Sequence, residues 1–192
     1  FSTWTTDSTD TEASLEETSY QEFTNRSFDS ASRITDQKIY NYLDSTKALV
    51  LDVQGIRSSN FDARRQATLQ KIATYVVGNA GEEILLDGKE ITSSDSNAMG
   101  YYKHVETVTY DKAELVGDDI VLSGLRGTQI VDTASFDTMG NALDQAIKRN
   151  ASDGQAIDSQ HILSSGFDLH NRAADSSITT YTSKGEFASQ QE

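Results

Sequence analysis

The sequence predicts an α+β fold: a mixed, mostly antiparallel sheet with two or three packed helices and extended polar terminal arms. Three observations carry this expectation. Apolar residues recur at three- and four-residue spacing in several stretches of the middle of the chain. Short apolar or β-branched runs alternate with those stretches. The two ends are polar, and the hydrophobic share of the whole is 36%, below the usual range for compact domains. The expected organisation is a polar N-terminal arm over 1–32, a compact α+β domain over 33–150, and a C-terminal extension over 151–192 with a short helix.

The N-terminal arm is acidic: Asp7, Asp10, Glu12, Glu16, Glu17, Glu22 and Asp29 face only Arg26. Such a stretch has too little apolar surface to offset its own ordering entropy. Trp4, Tyr20, Phe23 and Phe28 punctuate it and read as anchors that dock on a neighbour. Ile34 to Thr46 reads as a helix capped by Thr35, with Ile39, Tyr42 and Leu43 on one face. Ala48 to Val53 reads as a short buried strand. Ser58 to Val77 reads as the clearest helix, with Asn60 as cap, Leu69, Ile72, Ala73 and Val76 on one face, and Gly78 in a left-handed C-terminal cap. Glu83 to Thr92 reads as a hairpin turning at Asp87-Gly88. Ser93 to Gly100 reads as a loop and Tyr101 to Tyr110 as a strand. Ile120 to Leu122 and Thr128 to Val131 read as two strands around a turn at Ser123-Gly124. Ser135 to Arg149 reads as a helix lined by Met139, Leu143 and Ile147, and Gln155 to Leu163 as a weaker one. No internal repeat is apparent.

Composition narrows the chemistry. The 192 residues include no cysteine, so neither a disulfide framework nor a thiolate metal site is possible. The net charge of −14 opposes direct contact with nucleic acid or anionic lipid. The one compact basic group, Arg64, Arg65 and Lys71, reads as a solvated helix face. No apolar run is long enough to span a membrane. Proline is absent altogether, which suits segments whose backbone N–H groups must all bond.

No catalytic constellation emerges. GxSxG, GxxxxGK[ST], GxGxxG and HExxH are absent, and no cofactor is expected. His161, Asp168 and His170, with Asp158 nearby, have ligand chemistry suited to zinc or iron, but lack a spacing that puts them on one face. Asp95-Ser96-Asn97 with Gly100, and Asp118-Asp119, have too few alternating carboxylates for calcium. Asp52 stands out, because a carboxylate inside an apolar strand needs a partner. It pairs with Arg57 or Arg64, or marks the strand's exposed end, or belongs to a small catalytic or ligand-binding pocket at the sheet edge near Gly55, lined by Asp52, Arg57 and His104.

The stretch Asp118 to Thr128 (DDIVLSGLRGT) resembles a segment of some bacteriophage tail proteins, where an LSGLLRG..GT run closes a β-rich domain. It matches at Leu122, Ser123, Gly124, Leu125, Arg126, Gly127 and Thr128, without the doubled leucine. The resemblance implies a virion structural protein and transfers no catalytic residue. The leading expectation is thus a non-enzymatic structural subunit of a multi-subunit assembly, a phage or virus particle above all. Its partners would be copies of itself and other assembly subunits, and its contacts would be Trp4, Tyr20, Phe23, Phe28 and Arg126. A small enzyme or ligand-binding domain with a site near Asp52, and an acidic secreted or surface adhesion module, are the alternatives.

Overall fold

The computed structural model describes residues 2–5 and 16–191. Twelve strands follow one another: β1 (Ser2–Thr5), β2 (Glu16–Phe28), β3 (Ile34–Tyr42), β4 (Val50–Phe61), β5 (Ala67–Val77), β6 (Glu83–Ser96), β7 (Tyr102–Val116), β8 (Asp119–Phe136), β9 (Ala142–Ala151), β10 (Ala156–Ser165), β11 (Asp175–Thr182) and β12 (Phe187–Gln191). Each strand is hydrogen-bonded to its neighbours in sequence, so the sheet is a meander from β1 to β12. Because the chain has no proline, every residue keeps the N–H that a ladder needs. No helix occurs among the described residues, and so none is long and apolar enough to cross a membrane.

The expected α+β class is therefore corrected to all-β, and the helices at 34–46, 58–77, 135–149 and 155–163 are strands and turns. The stretch 58–77 shows why. Leu69, Ile72, Ala73 and Val76 have helical spacing, but Thr68, Ile72, Thr74, Tyr75, Val76 and Val77 are β-branched or aromatic and fit a pleated surface better. Asp62 also opens a tight turn inside that stretch. Asn60, the expected cap, sits in β4 with φ 51°, and the left-handed residue near Gly78 is Gly81, at φ 84°. Met139, Leu143 and Ile147 likewise share helical spacing, yet Gly140 between them takes φ 92° in the turn that separates β8 from β9.

Two expected turns lie inside strands. Asp87-Gly88 is in the middle of β6, where a Cβ on Gly88 would meet Leu122 Cδ2 at 2.6 Å and Ala113 Cβ at 3.0 Å. The glycine serves close packing there, not chain reversal. Ser123-Gly124 lies within β8, and the φ of 76° at Gly124 is a bulge-like state that bends a strand without ending it. The strands expected at 48–53 and 101–110 fall in β4 and β7, both longer than expected. Residues 16–28, expected within the arm, form β2 and pair with β3 from Tyr20↔Tyr42 to Phe28↔Ile34. Residues 6–15 and the side chain of Trp4 lie outside the described residues.

One turn design recurs. In eight connections the first residue's N–H donates to the carbonyl four residues on, and the fourth residue's N–H donates back to the first carbonyl; they start at Asp29, Asp62, Gly78, Asn97, Asp137, Ala151, Asp168 and Thr182. The fourth residue has positive φ each time: Ser32, Arg65, Gly81, Gly100, Gly140, Gly154, Asn171 and Gly185. This is a type I turn closed by a left-handed residue, a common short hairpin loop. Five of the eight begin with Asp or Asn, whose Oδ1 accepts the N–H groups two and four residues on. These five heads, 29, 62, 97, 137 and 168, recur at intervals of roughly 35 residues, one per pair of strands, which is a repeat at the level of turns.

By contact the chain divides into two units: 1–59, 70–88 and 111–123, and 60–69, 89–110 and 124–192. In the first, alternation along β3 and β4 brings Asp36 opposite Arg57, Lys38 opposite Gly55, and Tyr40 opposite Val53. Val53 is wholly buried, and Ala73, Ala113 and Ile120 form a small core on which Tyr75, Leu85 and Leu122 pack. The strands of this unit curl enough for Lys38 on β3 to reach Glu83 on β6, at 2.6 Å.

The second unit buries no large apolar side chain among the described residues; Thr133 is buried and accepts a hydrogen bond from Gln145 Nε2 at 3.1 Å. Its turns support one another instead. Arg64 donates to the Ala98 carbonyl and lies against Gly100. Tyr101 packs on Phe136, with ring centres 5.5 Å apart, and against Gly140. Tyr102 donates its hydroxyl to Asp62 Oδ2 at 2.9 Å.

Candidate functional site

The most built polar site is inside the first unit. Two-residue alternation gives β3 a face of Asp36, Lys38, Tyr40 and Tyr42, and gives β4 a face of Val53, Gly55 and Arg57. Arg26 on β2 donates Nε and Nη2 to Asp36 Oδ1 at 3.0 and 2.7 Å. Arg57 donates Nη1 to the same oxygen and Nε to the Asp118 carbonyl. One carboxylate thus holds two guanidiniums, with Arg57 12% and Asp36 16% exposed. Lys38 donates to Glu83 and sits 5.0 Å from the centre of the Tyr40 ring. Partial burial opposes the Lys38 charge, but the hydrogen bonds to Glu83 and Tyr40 outweigh it and hold its pKa above the ordinary lysine value.

These groups border a cavity of about 150 Å³, lined by Arg26, Lys38, Gly55, Arg57 and Glu83 together with Ala73, Tyr75, Leu115 and Ile120. Beside it Lys71 pairs with Asp119 at 2.8 Å. The Asp119 carboxyl is held below its ordinary pKa, first by the Lys71 hydrogen bond, against some desolvation, and also by the Ile120 N–H and the nearby charges of Lys71 and Arg57.

Asp52 is not part of this cavity. It faces away from Val53 and Gly55, on the other side of β4, in a ladder of amides: Gln21 Nε2 donates to Asn41 Oδ1 at 2.7 Å, while Asn41 Nδ2 and Gln54 Nε2 donate to Asp52 Oδ1 at 2.6 and 3.2 Å. The costly unpaired carboxylate of an apolar strand is in fact a hydrogen-bonded one on the polar face of that strand. Neither Arg57 nor His104 belongs to that ladder: Arg57 holds Asp36, and His104 Nδ1 is 2.7 Å from Asp132 Oδ1.

The expected contact residues divide. Tyr20 packs within its own unit, tilted against Tyr42 with ring centres 6.0 Å apart and with Lys47 above it. Phe23 and Phe28 are about half exposed, opposite Ile39 and Ile34 across the β2–β3 ladder. Arg126 lines a shallow cavity with Arg149, Asn150 and Ile157. The histidine and carboxylate residues weighed as metal ligands are dispersed: His161 Nε2 is 2.8 Å from Asp144, Asp158 holds Arg149 through two bonds, and Asp168 heads a turn. No group of metal-binding composition is assembled among the described residues.

Sequence reasoning missed Arg26, Asp36, Lys38 and Glu83 as parts of a site. One signal was present: 36–42 reads Asp-Gln-Lys-Ile-Tyr-Asn-Tyr, in which charged and aromatic residues alternate with Gln, Ile and Asn. Gly55 was expected beside a pocket at Asp52; it lines this cavity with Arg57, without Asp52 or His104. Compared with models of known protein families, with curated proteins and with solved structures, the chain matches none.

Proposed function

We propose that this chain is a non-enzymatic structural subunit that assembles with copies of itself through sheet surface its own fold leaves bare. One observation carries the reading. Among the described residues five apolar side chains are buried, whereas nineteen large hydrophobic ones are at least 36% exposed. Single exposed apolar residues are ordinary, but here several adjoin. Phe28 lies opposite Ile34, Leu43 is hydrogen-bonded through its backbone to Leu49, and Ile84 and Leu86 share one side of β6. Contiguous exposed apolar surface marks interaction sites. Phe23 and Phe28 stay candidate contacts; Tyr20 is used within the unit. A virus particle is the setting to which the resemblance of residues 118–128 points.

The charge of −14 repels copies from one another, and salt screens that repulsion while strengthening apolar contact. Sedimentation velocity of the full chain at low and at molar salt tests the proposal. Assembly is expected to grow with salt, and a Phe23→Ser, Phe28→Ser double variant to assemble less. A chain that stays monomeric under both conditions removes the reading.

A further inference from the structure

We propose that the cavity over Gly55 binds a small monocarboxylate whose apolar body is no larger than about one benzene ring. The first argument is the glycine. Gly55 lies inside β4 at a position directly opposite Lys38. It is not among the residues of positive φ, and a Cβ built on it would meet nothing within 4 Å. Neither conformation nor crowding therefore calls for glycine. What its missing side chain does is leave the cavity open, and a strand-interior glycine of that kind marks close approach of another group.

The second argument is charge. Among the cavity's lining residues Arg26, Lys38 and Arg57 stand against Glu83, and Asp36, outside the lining, holds both guanidiniums. One positive charge is left over, in a chain that is acidic as a whole. Donors are left over too. Arg26 uses Nε and Nη2, and Arg57 uses Nε and Nη1, so Arg26 Nη1 and Arg57 Nη2 keep N–H groups of the kind that bind carboxylate oxygens. The third argument is shape. Besides the cations the lining holds Ala73, Tyr75, Leu115 and Ile120, which offer an inorganic anion nothing and an apolar body contact. At about 150 Å³ the space matches a single aromatic ring. The inference does not rest on self-assembly, since a monomer would bind equally well.

An NMR titration of the full chain with sodium benzoate at fixed ionic strength tests this, read at the Gly55 amide and the Tyr75 ring. Saturable shifts with Kd on the order of 1 mM are expected, together with a Tm that rises with benzoate. Benzyl alcohol, which has the body without the charge, and inorganic phosphate, which has the charge without the body, should each bind at least about tenfold more weakly. Gly55→Val should abolish the shifts, and Arg57→Gln should weaken binding about tenfold. Should Gly55→Val fail to fold, Gly55→Ala places one methyl in the same space and should weaken benzoate at least about twofold. The proposal is overturned by shifts that never saturate, by benzyl alcohol or phosphate binding as tightly as benzoate, or by a folded Gly55 variant that binds as the wild type does.

Discussion

The two units share strands of the same meander but are held in different ways. The first encloses its few buried apolar residues, Tyr42, Val53, Ala73, Ala113 and Ile120, beside a set of ion pairs. The second buries no large apolar side chain among the described residues. It relies on ladder hydrogen bonds, on pairs across neighbouring strands such as Arg149 with Asp158 and His161 with Asp144, and on turns that brace one another. A sheet can therefore be kept in register by turn chemistry and surface pairs where it lacks a core, provided the turns recur.

Mutations that delete apolar volume probe this contrast most strongly. Val53→Ala should cost about 2–3 kcal/mol, which lowers Tm by roughly 4–12 °C in a chain of this length. Leu163→Ala in the second unit, where Leu163 is 48% exposed, should cost about 1 kcal/mol or less. Thermal denaturation followed by circular dichroism separates the two, and equal losses would erase the distinction.

Glycine substitutions run the other way. A Cβ on Gly127 would meet the Asn150 carbonyl oxygen at 2.7 Å, and backbone cannot step aside, so Gly127→Ala should cost about 1–3 kcal/mol. Gly55→Ala, with nothing within 4 Å, should be neutral or slightly stabilising, within about 1 kcal/mol. Urea midpoints at constant m-value give both numbers. A costly Gly55→Ala would mean that the interior of the first unit is tighter than its geometry.

Removing Asp36 leaves Arg26 and Arg57 facing each other. A fully buried pair broken in this way loses about 3–5 kcal/mol. Since these groups keep some contact with solvent, Asp36→Ala should lose roughly 1–2 kcal/mol, less so at high salt. A loss that is the same at low and molar salt would assign Asp36 to packing and not to charge.

The smallest effect concerns the turns. Asp168 is held at about 2, below its ordinary 3.8, first by the Arg172 N–H, then by the Arg172 guanidinium and the His170 N–H. The Gln66 N–H lowers Asp62 chiefly, the Arg33 guanidinium Asp29, and the Asn141 side chain Asp137. A depressed carboxyl pKa favours folding fully above the unfolded value, and that contribution fades as pH falls through the folded value. The Asp168 turn should accordingly loosen between pH 3.8 and about 2. NMR titration of carboxyl carbons, with the His170 and Arg172 amides moving in step, checks this. Asp168→Asn should hold those amides still across the range, because an amide oxygen can take the two N–H bonds made to Oδ1 without titrating, although its NH2 cannot accept the Arg172 Nε bond made to Oδ2.

Much of the turn chemistry was legible. Asp, Asn, Gly and Ser punctuate the sequence at many of the chain reversals, and the pattern of Asp or Asn followed three residues on by Gly or Asn is visible at Asn97, Asp137 and Asp168 once strands are assumed. It was hidden because helical spacing at Leu69–Val76 and Met139–Ile147 competed with it, and short apolar runs satisfy both periods. Asp87-Gly88 failed for the opposite reason. Its turn chemistry is sound, but the packing of Leu122 and Ala113 on Gly88 keeps the chain extended.

Read by itself, the sequence determined the acidic charge, the absence of cysteine and proline, and the strands around 48–53 and 101–110. All of these are properties of composition or of a few neighbouring residues. Tertiary structure decided which face of each alternating strand points inward, and so decided that Gly55 opens a cavity and that Asp52 does not line it. It also brought Lys38 to Glu83, 45 residues apart, and Lys71 to Asp119, 48 apart. Periodicity is local, whereas the curl of a sheet and the pairing of charges across it depend on every strand between, and no short window of residues contains that information.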